Sequence, residues 1–187
     1  LERKSHDQRN KMGALQRLRI AVLGGGNMGL ALLMVLRKVF GCIGVELYDP
    51  IASRMEKATA LGARAPANVD FVTRKGSKAS GGDYRDFYSP SAYDLVFEST
   101  GSKEGFASAL EIVRPLGGIV AIGVVPPGDA NLRLMTLQAL KISGTIGGTG
   151  EFPSPIKAVR EDPGYSGQLA THPFHYSDFR NAFEPAM

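Results

Sequence analysis

A glycine-rich segment, Gly24–Gly29, most constrains how this chain can fold. It reads Gly-Gly-Gly-Asn-Met-Gly, with glycine at its first, third and sixth positions. An apolar run at 18–23 precedes it, and a run at 28–40 rich in Leu, Met and Val follows it. The first run predicts a buried strand and the second a buried helix. The glycines therefore predict a sharp strand-to-helix turn, the first corner of an α/β unit.

An acidic residue at the end of the next predicted strand indicates that this turn could also bind a ligand. Asp49 closes the strand predicted at 45–48 and stands 20 residues after Gly29. A G-x-G-x-x-G turn followed at this distance by an acid is typical of dinucleotide-binding sites. A turn with a purely structural role is the alternative interpretation.

Each position of the turn has a physical reason in a dinucleotide site. Gly24 allows the sharp turn, Gly26 lets backbone N–H groups approach a pyrophosphate, and Gly29 lets the helix pack on the sheet. Asn27 and Met28 begin the helix, whose N-terminus carries a partial positive charge towards the phosphates. We therefore expect these five residues to bind the cofactor.

Two charged residues bear on the identity of that dinucleotide. Asp49 is placed to accept hydrogen bonds from both hydroxyls of the adenosine ribose, and its charge would repel a 2′-phosphate. This favours NAD as the cofactor over NADP. Arg54 could stack near the adenine or meet a 2′-phosphate, or it could lie on a solvated helix face. Asp49 could also cap the next helix, and the two roles are compatible.

Short apolar runs alternate with helical patterns along the chain. This alternation predicts a parallel sheet built from right-handed crossovers. Strands are predicted at 18–23, 45–48, 69–73, 93–98, 119–125 and 141–146. Helices are predicted at 28–40, 50–61, 106–113 and 151–160.

Composition narrows the class of protein. Apolar residues make up 43% and charged residues 21%, which is typical of a globular domain. The net charge of +4 comes from six basic and two acidic residues in 1–19, and the remainder is neutral. We interpret 1–17 as a basic, poorly ordered tail and 18–187 as one domain, and we expect no nucleic-acid partner. No apolar run reaches the length of a membrane span, so we expect no membrane association. The first 19 residues are polar and basic, unlike a secretory signal, and one cysteine cannot form an intramolecular disulfide, so the default expectation is a cytoplasmic location.

A series of segments in a fixed order extends the glycine motif along the chain. The segments are 24–29, 49–63, 93–102, 113–120, 123–124, 141–144 and 182–184. Together they resemble the cofactor domain of medium-chain dehydrogenases/reductases, which include the zinc-type alcohol, polyol and threonine dehydrogenases and their quinone reductase relatives. The last 20 or so residues resemble the return towards that family's catalytic domain.

The resemblance implies a Rossmann-type fold and a longer site. The fold would be a doubly wound α/β structure with six parallel strands in the order 3-2-1-4-5-6 and the cofactor across their carboxyl edge. The residues implied to line the nicotinamide side follow the fourth, fifth and sixth strands, where ordinary strand-end turns are the alternative. They are Ser99, Thr100, Gly101, Gly123, Val124 and Gly147.

The resemblance also implies a function. The chain would be the cofactor domain of an NAD(P)-dependent oxidoreductase that moves a hydride between nicotinamide and a small alcohol, polyol, sugar or carbonyl compound. Nothing before Leu18 resembles the family's catalytic domain, which carries its zinc ligands and substrate pocket. We therefore expect a fragment that lacks catalytic residues and is not competent alone, although a natural stand-alone module is the alternative. Zinc is expected only on that other domain, because Cys42 reads as a buried apolar residue and His172 and His175 would point apart.

Two other functions remain open on the sequence. A regulatory module would bind NAD without turnover. An imino-acid reductase is the other, because Gly24–Gly29 also resembles the opening of pyrroline-5-carboxylate reductases, although that family needs a helical domain after the Rossmann unit. The family resemblance further implies a homo-oligomer in which the last sheet strand, near 142–146, pairs with a second copy.

Overall fold

Five parallel strands form one sheet in the computed structural model, which describes residues 13–66, 93–128, 130–147, 152–169 and 173–182. The strand order is β2-β1-β3-β4-β5, and every neighbouring pair is parallel. The strands are β1 (Ile20–Leu23), β2 (Glu46–Tyr48), β3 (Tyr93–Glu98), β4 (Val113–Ala121) and β5 (Lys141–Gly144).

Helices connect these strands. The four predicted helices are confirmed with shifted ends, and the described residues also contain short helices that were not predicted. Within the described residues, none of the helices has both the length and the apolar character that crossing a membrane requires. The helices are α1 (Asn27–Met34, continued as a π-helix over Val35–Val39), α2 (Ala52–Ala60), α3 (Lys103–Ile112), α4 (Leu132–Leu137), α5 (Pro153–Glu161) and α6 (Pro163–Gly167).

The helices cover both faces of the sheet. Ile20 and Val22 of β1 lie in one buried cluster with side chains of α1 and α2. Ala21 and Leu23 lie in a second buried cluster with side chains of α3 and α4. Since successive strand residues point to opposite faces, the two clusters are the two layers of a doubly wound fold. The α/β class predicted from the alternation is confirmed.

The predicted order of six strands differs from the described sheet by one strand. The strand predicted at 69–73 lies outside the described residues, and the five observed strands follow the predicted order without it. Arg64 forms an isolated parallel bridge with Glu46, through hydrogen bonds of 2.9 Å to the Val45 carbonyl and 3.1 Å from the Leu47 N–H. The chain therefore reaches the outer edge of β2, where the order 3-2-1 places its third strand, before residue 69.

Part of the predicted tail lies against the domain. Residues 13–16 form one helical turn, and Leu15 packs on the first buried cluster. The Gln16 side chain donates a 2.8 Å hydrogen bond to the carbonyl of Phe40 at the end of the π-helix. Residues 1–12 of the predicted tail lie outside the described residues.

Candidate cofactor site

The turn after β1 is closed by contacts that exclude a side chain at two glycines. Gly24 has φ +105°, and a Cβ there would lie 2.7 Å from the Ser99 hydroxyl oxygen. A Cβ on Gly29 would lie only 1.8 Å from the Gly24 carbonyl oxygen. These two glycines let α1 start directly above the end of β1. They act sterically, as glycines at the first and last positions of such a turn do.

The middle of the turn is open. Within the part of the chain that the structure describes, a Cβ on Gly26 would meet no atom within 4 Å, and its φ of −74° is ordinary. Gly26 is also the N-cap of α1, and as a glycine it has no side chain that could cap the helix. The first backbone N–H groups of α1 have no acceptor within the helix, so this end offers donors and a partial positive charge. Asn27 and Met28 are exposed at the same end.

Asp49 joins the end of β2 to this turn. Its side chain is 5% exposed. One carboxylate oxygen accepts a 2.8 Å hydrogen bond from the Gly25 N–H, and the other accepts a 2.9 Å bond from the Ile51 N–H at the start of α2. The Arg54 guanidinium lies 3.4 Å from the first oxygen. Asp49 therefore holds both loops in place. Its Oδ2 accepts from Gly25 and Arg54, while Oδ1 accepts from Ile51 and keeps a further lone pair for a ligand.

A second acidic residue organises the turn after β3. Glu98 is fully buried, and its Oε1 accepts hydrogen bonds from the Thr100 N–H (2.7 Å), the Gly101 N–H (3.2 Å) and the Thr100 hydroxyl. Its backbone carbonyl accepts bonds from the N–H groups of Ile122 (2.8 Å) and Gly123 (3.1 Å), which follow β4. Glu98 thus connects the ends of two strands. Sequence reasoning did not single it out.

A cleft of about 990 Å³ lies above the carboxyl ends of β1, β2 and β3. Its position agrees with the rule that ligands of open α/β sheets bind beyond the carboxyl ends of the strands. The predicted site residues that line it come from the first two turns and the start of the third. They are Gly24, Gly26, Asn27, Met28, Asp49, Arg54, Ser99 and Thr100.

The other predicted residues lie outside this cleft. Gly29 lies beneath the first turn, in contact with Gly24. Gly101 and Gly123 touch each other, since a Cβ on Gly123 would lie 2.2 Å from the Gly101 nitrogen. Val124 is 87% exposed and lies against Gly101. Gly147 is exposed beyond β5, where a Cβ would meet nothing within 4 Å.

Several residues of the cleft were not found from the sequence. Lys57 follows Arg54 by three positions on α2, and this helical spacing was an available signal. Ser102 caps α3 by accepting a 2.9 Å bond from the Gly105 N–H, a pattern that is also legible in sequence. No local pattern marks the cleft residues contributed by the C-terminal part of the chain, which are Leu169, Phe174 and Ala182.

The family comparison decides the relationship of this chain. A family model described as zinc-binding dehydrogenase matches residues 28–161. The chain belongs to that zinc-binding dehydrogenase family. The match begins at Met28, inside the glycine turn, and includes Asp49 and the turns that follow β3 and β4. It favours neither the imino-acid reductase nor the regulatory module.

Individual zinc-type dehydrogenases show the same relationship. A zinc-type alcohol dehydrogenase-like protein of Escherichia coli K12 is 26% identical over 173 residues, which are 90% of this chain and 47% of that protein. The chain spans about half the length, or less, of the curated relatives it matches.

Solved dehydrogenases have the same fold. An alcohol dehydrogenase from Escherichia coli CFT073, solved with NADH, superposes with a TM-score of 0.67 at 21% identity, over 90% of this chain and 48% of that one. A zinc-binding dehydrogenase from Sinorhizobium meliloti 1021, solved with NADP, gives 0.57 at 22% identity, over 82% and 43%.

The side chains that could bind zinc lie apart in the described residues. No three His, Cys, Asp or Glu side chains gather there in an arrangement that could hold a metal ion. Cys42 is buried, and desolvation raises the pKa of its thiol, which disfavours the thiolate that zinc prefers. The His175 Nδ1 lies 2.8 Å from the Ser177 hydroxyl, while His6 and His172 lie outside the described residues.

Proposed function

We propose that this chain binds NAD in preference to NADP and serves as the cofactor domain of a dehydrogenase. The substrate would be a small alcohol, polyol, sugar or the corresponding carbonyl compound. One observation carries the proposal: the open space above Gly26 lies in the same cleft as the buried carboxylate of Asp49. A pyrophosphate fits the first feature and a ribose diol fits the second.

The adenosine half fits the β2 side of the cleft. Asp49 would accept one ribose hydroxyl on Oδ1, where Ile51 leaves a lone pair free, and the other on Oδ2 in place of the 3.4 Å contact with Arg54. A 2′-phosphate would bring negative charge against this carboxylate, which supports NAD. Arg54 and Lys57 line the same end and limit the repulsion, so we expect NADPH to bind more weakly than NADH rather than not at all.

The remaining cofactor contacts follow the carboxyl edge of the sheet. Asn27 and Met28, at the N-terminus of α1, would face the pyrophosphate. The nicotinamide and its ribose would lie over the turns after β3, β4 and β5. The residues proposed for this half are Ser99, Thr100, Gly101, Gly123, Val124 and Gly147.

The nicotinamide, when bound, supplies hydride transfer, and the chain supplies binding and orientation. Gly26 and Asp49 would fix the position of the adenosine diphosphate part, so that the nicotinamide extends past β3 and β4. A zinc ion or an acid outside the described residues would polarise the substrate oxygen. We assign no catalytic residue within the described residues.

Calorimetric titration of the chain with NADH and with NADPH tests this proposal. We expect saturable 1:1 binding of both, tighter for NADH. The Glu56→Gln variant should bind both dinucleotides as the unchanged chain does, because Glu56 is an exposed carboxylate of α2 that does not line the cleft. Failure of both dinucleotides to bind, or tighter binding of NADPH, would contradict the proposal.

We also propose that the chain forms a homodimer through β5. Among the described strands, β5 pairs with β4 alone, which leaves its outer edge open, and Ile146 just beyond it is 90% exposed. A second copy could cover this edge by strand pairing. Sedimentation equilibrium at micromolar concentration should show a dimer, and a monomer would argue against it.

A further inference from the structure

Glu98 is the most enclosed charged side chain described near the cleft. It is 0% exposed, and its Oε1 accepts from two backbone N–H groups and one hydroxyl. Its Oε2 has no hydrogen-bond partner among the described residues. Burying a carboxylate in this way costs free energy, which its hydrogen bonds must offset. We therefore expect those bonds to hold an arrangement that the protein requires.

The carboxylate sets the direction of a chain of hydrogen bonds. The Gly105 N–H donates to the Ser102 hydroxyl oxygen, which lies 2.9 Å from the hydroxyl oxygen of Thr100. Glu98 Oε1 accepts two N–H bonds, and the Thr100 hydroxyl donates to the same oxygen. The Ser102 hydroxyl is then the donor to Thr100. The Glu98 carboxyl group thus orders both hydroxyls up to the first turn of α3.

The same residue controls the approach of the neighbouring turn. A Cβ added to Gly123 would lie 2.9 Å from Glu98 Oε2 and 2.2 Å from the Gly101 nitrogen. The Glu98 carbonyl binds the N–H groups of Ile122 and Gly123. The turns at 99–102 and 122–124 are therefore held against each other by the side chain and the backbone of one residue.

We propose that Glu98 is a positioning residue for the nicotinamide half of the cofactor. This rests on the proposed function, in which these two turns carry that half. The adenosine half is arranged by other contacts, those of Asp49 with Gly25 and Ile51. Loss of the charge on Glu98 should therefore loosen the nicotinamide half and leave the adenosine half intact.

The test compares NADH with ADP, which lacks both the nicotinamide and its ribose, on the wild-type chain and on Glu98→Gln. The amide keeps the shape of the side chain and removes its charge. We expect Glu98→Gln to bind ADP as the wild type does and to bind NADH about five- to tenfold more weakly, as expected when a charged acceptor becomes neutral. The fluorescence of bound NADH should move towards that of free NADH. Glu56→Gln should change none of these values.

Any other result would overturn either the inference about Glu98 or the proposed function, and the results differ in which of the two they overturn. Equal weakening of both ligands by Glu98→Gln would show a general structural role and overturn the inference, as would no change in NADH affinity or fluorescence. Equal affinity of the wild type for the two ligands would also overturn it, because the nicotinamide half would then not be held. Binding of neither ligand to the wild type would instead overturn the proposed function.

A second variant covers the case in which Glu98→Gln fails to fold. Glu98→Asp keeps the charge and shortens the side chain, which withdraws its oxygens from the N–H groups of Thr100 and Gly101. We expect the same selective weakening of NADH, smaller in size, with ADP affinity unchanged. Equal effects on both ligands, or none, would overturn the inference.

Discussion

The backbone N–H of Gly25 donates a 2.8 Å hydrogen bond to the carboxylate of Asp49, across 24 residues of sequence. This contact joins the end of β2 to the turn after β1. The residue proposed to recognise a ribose therefore also supports the loop proposed to bind a pyrophosphate. A change at Asp49 should affect stability and cofactor preference together.

Asp49→Asn tests this double role. An amide oxygen can replace only one of the two carboxylate acceptors, so a bond to Gly25 or Ile51 is lost or weakened. We expect the free energy of unfolding to fall by about 1–2 kcal/mol. The preference for NADH over NADPH should shrink, because the negative charge is gone. Urea unfolding and paired titrations measure the two effects, and an unchanged preference would contradict the role of Asp49.

The glycines at 26 and 29 should separate binding from stability. Gly29→Ala places a methyl group 1.8 Å from the Gly24 carbonyl oxygen, a clash with the main chain. We expect a loss of at least about 2 kcal/mol in the free energy of unfolding.

Gly26→Ala is the matched control for that clash. Its methyl group would meet no atom of the described residues within 4 Å, so the free energy of unfolding should change by less than about 1 kcal/mol. It would occupy the space proposed for the pyrophosphate, and calorimetry should show that NADH binding is lost. Normal NADH affinity in this variant would place the phosphates elsewhere.

The buried hydroxyl of Tyr93 should make the free energy of unfolding fall at alkaline pH. Burial, the hydrogen bond of 2.5 Å to Glu46 and the charge of Glu46 raise the pKa of Tyr93 far above its usual range, against a smaller opposing effect of Arg19. The unfolded chain releases this proton near pH 10 and the folded chain keeps it. The contribution of Tyr93 is therefore complete below about pH 10 and is lost as the pH rises further.

Tyr93→Phe should change the slope of that loss. At neutral pH the variant should be less stable by about 1–2 kcal/mol, because the hydrogen bond to Glu46 is absent. Above about pH 10 its stability should fall less steeply than that of the wild type. Urea unfolding at several pH values measures this, with Tyr176→Phe as an exposed control. Parallel curves for wild type and Tyr93→Phe would disprove it.

Cys42 should be unreactive in the folded chain. The thiol is buried and desolvation raises its pKa, so little thiolate is present at neutral pH. We expect an aromatic disulfide reagent to react at least about tenfold more slowly with the folded chain than with the chain in urea. Equal rates would show that Cys42 is exposed by local opening.

The elements of the fold were predictable wherever the signal was local. Gly24, Gly26 and Gly29 mark a strand-to-helix turn by spacing alone, and the alternation of strands and helices specified a parallel sheet. The ends of elements were less predictable. The strand expected from residue 119 begins at Val113, directly after α3, and α4 is a short helix whose Asn131 cap was not recognised.

The sequence by itself determined the α/β class, the glycine turn, the acid at Asp49 and the family resemblance, because each depends on residues close together in the chain. Only the tertiary structure showed that Glu98 links the turns after β3 and β4, and that Leu169 and Phe174 line the same cleft as Asp49. These contacts join residues far apart in sequence. Parallel strands bring their carboxyl ends to one edge only when the sheet is assembled, and no local pattern records which side chains then meet.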